Sequence, residues 1–234
     1  MNRRSYLVSA GVVGAVATAG CLEELGLASG DTVLGAPDHD MGDPAHPIHG
    51  DDLPDFEEHD VVTGETLSRS DLLEDDRTIL MTFIFSECPD GTCPLLLQYL
   101  RMVQDDAREE GYSDEVALVG VTFDPDTDTE EILRAEAEAV DLDLEAGNVH
   151  LLRPETNEHA EEMVEEDFGV PVILDDHDDH EEDDDTDDED IDESVHYVLI
   201  LLANPDGVVE RAYISQIDFS AEEIIEDVRT VVDG

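Results

Sequence analysis

Two cysteines, Cys88 and Cys93, are separated by four residues in the segment Cys88-Pro89-Asp90-Gly91-Thr92-Cys93-Pro94. Upstream lies the apolar run Ile79-Leu80-Met81-Thr82-Phe83-Ile84-Phe85, and downstream Leu96, Leu97, Leu100 and Val103 recur at helical spacing before Gly111. Thiols in the turn between a buried strand and a helix N-terminus ionise near neutral pH, because unpaired N–H groups and the helix dipole favour the thiolate. Such a pair can exchange disulfides or bind a soft metal ion. The gap is looser than that of a Cys-x-x-Cys motif, and a more open loop lets both sulfurs face one ion. Thiolates select Cu(I), and an added imidazole gives a trigonal site that also accepts Cu(II). The bland alternative is a structural disulfide, which would stabilise the fold by only about 2 kcal/mol for so small a loop.

The chain holds nine His. His196 stands out by context: it opens a strand expected over 197–202, where a side chain can project from the end of a sheet toward the cysteine turn. His39, Met41, His46 and His49 also suit copper, but they fall in a Gly-, Asp- and Pro-rich stretch without apolar periodicity, which reads as solvated linker. Asp124 and Asp126 flank Pro125 at a strand end and read as turn formers or helix caps, not as catalytic groups.

The elements that must position these residues alternate. Strands are expected over 77–86, 116–123, 149–152 and 170–174, and helices over 95–110, 130–140 (with Thr129 as its cap) and 158–168. Pro94 suits a first helical turn and Gly111 a helix stop. A hairpin over 197–202 and 208–214 turns on Asn204-Pro205-Asp206-Gly207, and a helix over 220–232 closes the chain. This βαβα order argues for a largely parallel sheet with crossover helices.

The N-terminus reads as an export signal. Arg3 and Arg4, a short apolar run to Ala19, and Gly20-Cys21 resemble a twin-arginine lipoprotein signal over residues 1–20. The apolar run is too short to span a bilayer comfortably, which takes about 20 residues. Cleavage before Cys21 would leave lipid on that residue and anchor the protein to the outer face of the cell membrane. Residues 21–50 then read as a flexible tether and 51–234 as one domain. With Cys21 lipidated, Cys88 and Cys93 are the whole thiol inventory in an oxidising compartment.

Charge sets a further bound. Sixty-five acidic residues oppose ten basic ones, all Arg, for a net charge of −55. The excess runs along nearly every segment, which is the pattern of a halophile's surface, kept soluble where molar salt shortens the Debye length to about 3 Å. It argues against nucleic-acid binding, since no basic patch offsets the repulsion of phosphates. Residues 175–193 are almost entirely Asp and Glu, with His177 and His180, and read as a disordered acidic loop.

Three blocks resemble the Sco/SenC family: Phe83-Ile84-Phe85 ahead of Cys88-Pro89-Asp90 and Cys93-Pro94; Val121-Thr122-Phe123-Asp124-Pro125-Asp126-Thr127-Asp128-Thr129; and His196 ahead of Asn204-Pro205-Asp206-Gly207. The resemblance runs from about Leu53 to Val232, with the acidity of a haloarchaeal-type member. It implies an α/β, thioredoxin-like fold with a central mixed sheet flanked by helices. It also implies that Cys88, Cys93 and His196 bind one copper ion. The implied role is that of a copper chaperone, not an enzyme, which delivers copper to the dinuclear copper site of cytochrome c oxidase or reduces that site's cysteines. Two departures stand out: the family's usual motif has three residues between its cysteines, and the acidic stretch before His196 is an insertion.

The alternative is an extracytoplasmic thiol–disulfide oxidoreductase using the Cys88/Cys93 pair, with His196 tuning it and another thiol protein as client. A peroxidase of the peroxiredoxin type is disfavoured, because no residue flanking either cysteine is basic.

Overall fold

The computed structural model describes residues 31–37, 42, 44–86, 88, 91–171, 198–214 and 219–234. His196, Cys21, His39, the acidic stretch over 175–193 and the signal over 1–20 lie outside the described residues.

Seven consecutive buried residues, Thr78–Ile84, form strand β3, and seven more, Val116–Thr122, form β4. Residues apolar on both faces need cover on both faces, and this pair supplies the sheet's centre. β3 and β4 run parallel in register from Thr78 opposite Val116 to Ile84 opposite Thr122. β5, Val149–Arg153, joins β4 in parallel. Helix α2, Thr92–Glu110, crosses from β3 to β4, and helix α3, Glu130–Ala139, from β4 to β5. Thr129 caps α3 as expected, its hydroxyl accepting from Ile132 N at 3.3 Å.

The remaining pairings are antiparallel, so the sheet is mixed and not largely parallel. β1 (Glu57–Asp60) and β2 (Thr66–Ser68) form a hairpin added beside β5, and β6 (Leu199–Ala203) and β7 (Val209–Ile214) form another beside β3. The order is β2-β1-β5-β4-β3-β6-β7. A tight turn can join only antiparallel neighbours, and each outer pair is joined by one. In the second, Asn204 Oδ1 accepts from Asp206 N and Val208 N, both at 3.1 Å, and Gly207 adopts φ 78°.

Alternate residues of the central strands feed two cores. Leu80, Ile84, Leu118 and Leu151 pack with α2, α3 and the closing helix α5, whose buried face carries Ile224, Val228 and Val231. Ile79, Met81, Phe83, Ala117, Val119 and Val121 pack beneath Leu72, Ala160 and Phe168 on the other face. Leu72 belongs to helix α1, Arg69–Leu72, and Ala160 to α4, Asn157–Glu161. α4 continues as a π-helical turn over Glu162–Asp167 where one helix over 158–168 was expected. Of the strand expected over 170–174, the described residues 170 and 171 are not in a strand. Helices on both faces of a mixed sheet make this an α/β, thioredoxin-like fold.

Some described residues of the stretch expected to be a flexible tether make contacts with the domain. Val33 N and Leu34 N donate to the buried Glu210 carboxylate at 2.7 and 2.9 Å, and Gly50 N donates to Val209 O at 2.8 Å. Leu34 and His46 are buried. Gly169, at φ 65°, leaves room for Ala45: a Cβ there would lie 2.3 Å from the Ala45 carbonyl carbon. Gly50 and Asp51 pair with the backbone of Val209, the first residue of β7, which would otherwise be left open there.

Candidate functional site

β3 ends at Ile84, and the chain reaches Cys88 four residues later. Cys88 is half-buried, and Cys93, the second residue of α2, is 3% exposed. The fold brings the two together: Cys93 N donates to Cys88 Sγ at 3.3 Å, and Phe85 N donates to Cys93 Sγ at 3.3 Å. Each sulfur therefore accepts a hydrogen bond from a backbone N–H.

The segment between the cysteines ends in a specific backbone device. Gly91, the N-cap of α2, sits in the left-handed region at φ 74°, and its N–H donates to Cys88 O at 3.3 Å. Glycine adopts this conformation without the cost other residues bear, so Gly91 suits the position from which the helix begins at Thr92.

Beside Ser86, just past the end of β3, lies a buried polar cluster. Asp128 is 0% exposed; its Oδ1 accepts from Ser86 N at 3.0 Å, and its Oδ2 accepts from the Thr122 hydroxyl. Burial raises its carboxyl above the usual carboxylate range, against the opposing pull of the Ser86 and Thr122 hydrogen bonds. Asp124 and Asp126, read as turn formers, are held in that role: Asn157 Nδ2 donates to Asp124 Oδ1 at 2.8 Å, and Asp126 N donates to Asn157 Oδ1 at 2.9 Å. Arg153 braces the same loop through Asp128 O, at 2.8 Å from its Nε, and through Pro125 O. The sequence signal for this cluster was the run of acidic and hydroxyl residues after β4, but its burial is visible only in the fold.

His46 and His49 are not gathered at the cysteines. The His49 ring bonds Glu210 O at 3.0 Å, and the His46 ring bonds Pro47 O at 3.0 Å. Glu210 lies in β7 at the level of the start of β3, the end of the sheet away from Cys88. Among the described residues no group of three or more His, Cys, Asp or Glu side chains is placed to hold a metal.

The model of the SCO1/SenC family matches residues 55–233. The chain belongs to the SCO1/SenC family. Solved structures share its fold: BsSco, described as a member of the Sco family of cytochrome c oxidase assembly proteins, superposes with a TM-score of 0.59 at 21% identity, covering 82% of this chain and 98% of its own. A SCO1/SenC family lipoprotein of Bacillus anthracis gives 0.56 at 23% identity over 77% of this chain and 94% of its own. Yeast Sco1 with copper bound gives 0.54 at 17% identity over 80% and 90%. No curated protein matches the chain by sequence. The matched residues include both Cys88 and Cys93.

Proposed function

We propose that this protein is a copper-binding assembly factor. In this reading Cys88, Cys93 and His196 hold one copper ion, and the protein serves the dinuclear copper site of a cytochrome c oxidase. The observation that carries the reading is the apposition of the two cysteines at the end of β3, inside a chain of the SCO1/SenC family. Two thiols in one turn are a soft donor set suited to Cu(I), and an imidazole would extend it to Cu(II). His196 precedes Val198 by two residues, and Val198 leads into β6, whose first residues lie beside the end of β3. Solved relatives with copper bound include yeast Sco1 and the Arabidopsis thaliana and Bradyrhizobium japonicum ScoI proteins. Lipid on Cys21 would hold the protein at the outer face of the membrane, in keeping with the Bacillus anthracis relative's description as a lipoprotein.

A second reading is favoured by the same contact, which brings the Cys88 sulfur to 3.3 Å from the backbone amide of Cys93 and so gathers two thiols in one turn. One thiolate would attack a client disulfide, and the other would resolve the mixed disulfide, leaving two client thiols and an oxidised Cys88–Cys93 pair. A disulfide switch is reported for the relative BsSco.

Copper titration of the full chain in molar salt, beside Cys88→Ser, Cys93→Ser and His196→Ala, separates the two. One copper per chain, with a thiolate-to-Cu(II) absorption band lost in each variant, is the expected result. No copper binding, together with a readily reduced disulfide, would leave the oxidoreductase.

A further inference from the structure

We infer that Asp128 is a positioning residue for the cysteine pair, setting its redox equilibrium by fixing the backbone from which both sulfurs are presented. The inference rests on the reading of Cys88 and Cys93 as the working pair.

An ionisable group is costly to bury unless its hydrogen-bonding capacity is met, and the fold spends this one on a single seam. One oxygen of Asp128 takes the Ser86 amide, just past the end of β3, and the other takes the Thr122 hydroxyl, at the end of β4. The loop that carries Asp128 is itself bolted down, by Asp128 N to Asp124 O at 2.8 Å and by Arg153 and Asn157. A capping role does not explain the arrangement, since the cap of α3 is Thr129.

The consequence reaches the sulfurs through two successive amides. Ser86 N is fixed by Asp128, and the adjacent Phe85 N donates to Cys93 Sγ at 3.3 Å. Ser86 also lies two residues ahead of Cys88. Releasing the Ser86 amide frees this dipeptide to rotate, which weakens the Phe85 N–H to sulfur bond and changes how closely Cys88 approaches Cys93. Both effects alter the balance between dithiol and disulfide.

The test equilibrates the full, metal-free chain in molar salt with reduced glutathione and glutathione disulfide. Oxidation of Cys88 and Cys93 releases two protons and two electrons as their S–S bond forms, and glutathione disulfide takes these up as its own S–S bond breaks to give two thiols. Differential alkylation and mass spectrometry read the Cys88–Cys93 pair separately from Cys21. Asp128→Ala is expected to move the equilibrium constant by about tenfold, while Asp128→Asn, which keeps an acceptor for Ser86 N, returns it to within about twofold. Val231→Ala, in α5, serves as a control that lowers Tm without touching the loop. A shift in Asp128→Ala no larger than in Val231→Ala overturns the inference. Should Asp128→Ala fail to fold, Thr122→Val, which removes one of the two clamps, is read in the same way: a shift beyond the control supports the inference, and none overturns it. Copper titration beside Cys88→Ser and Cys93→Ser tests the underlying reading of the pair separately, since the glutathione equilibrium involves no metal.

Discussion

The amide of Phe85 donates to Cys93 Sγ at 3.3 Å, so the last turn of chain before the cysteine loop is already bonded to the sulfur that closes it. The two cysteines thus differ in kind: Cys93 is sealed into the core at 3% exposure, while Cys88 is half-buried. Limited alkylation of the reduced protein is therefore expected to mark Cys88 first, because access governs thiol modification as much as ionisation does. Peptide mapping at low conversion checks it; an initial adduct on Cys93 would contradict the burial order.

Gly91 is the residue on which the chain turns from the cysteine loop into α2. Its Cβ would meet no atom within 4 Å, so the cost of Gly91→Ala is conformational alone, the strain of a side chain at φ 74°. A loss of about 1 kcal/mol is expected, seen as a lower midpoint in denaturant with an unchanged slope. A neutral result would mean that the loop has another conformation available.

Much of this was legible in the sequence, for physical reasons that differ by element. β3 and β4 were plain because strands buried on both faces need apolar residues throughout, and the cap of α3 because Thr129 precedes two glutamates. The β1/β2 hairpin was not, since its inward-facing residues are Glu58 and Asp60. Their partners, His159 at 2.7 Å and His150 at 3.1 Å, lie about a hundred residues away in the chain. Composition likewise marked the stretch before Gly50 as linker, because nothing local announces that Val33 and Leu34 will meet Glu210. At the site, the cysteines were legible from type and spacing, and Asp128 was not, because nothing local shows that its carboxylate bonds across to Ser86 N and the Thr122 hydroxyl.

The packing of Ala45 and His46 against Gly169 can be broken by one methyl group. At φ 65°, with a Cβ 2.3 Å from the Ala45 carbonyl carbon, Gly169→Ala collides with backbone that cannot give way as a side chain would. The expected cost is about 3 kcal/mol, with the N-terminal segment displaced. Limited proteolysis reads this as new cleavage between residues 31 and 50. Glu210→Gln should act in the same direction by turning an amide NH2 toward the Val33 and Leu34 donors. Protection equal to that of the unmutated chain in both variants would show that the segment is held by other contacts.

Asp60 sets the clearest pH dependence. Fully buried, it accepts from Val62 N and Leu151 N at one oxygen, and from Thr63 N, the Thr63 hydroxyl and the His150 ring at the other. Burial is the largest influence on its carboxyl and works upward, but the bonds from His150, Val62 and Thr63 together outweigh it and hold the group below the ordinary carboxylate value. A carboxyl depressed in this way binds its proton less readily in the folded than in the unfolded chain. The stability it contributes is thus complete above the unfolded value near pH 4 and is lost as pH falls through the folded one. Asp60→Asn, which points an NH2 at donors, is expected to cost about 3 kcal/mol at neutral pH. Because protonation of the unmutated Asp60 gradually removes the same charge, the gap between the two proteins should narrow below about pH 4. Urea denaturation in molar salt at a series of pH values measures that gap directly. A gap that stays constant to pH 3 would mean that the hydrogen bonds hold Asp60 without favouring its charge.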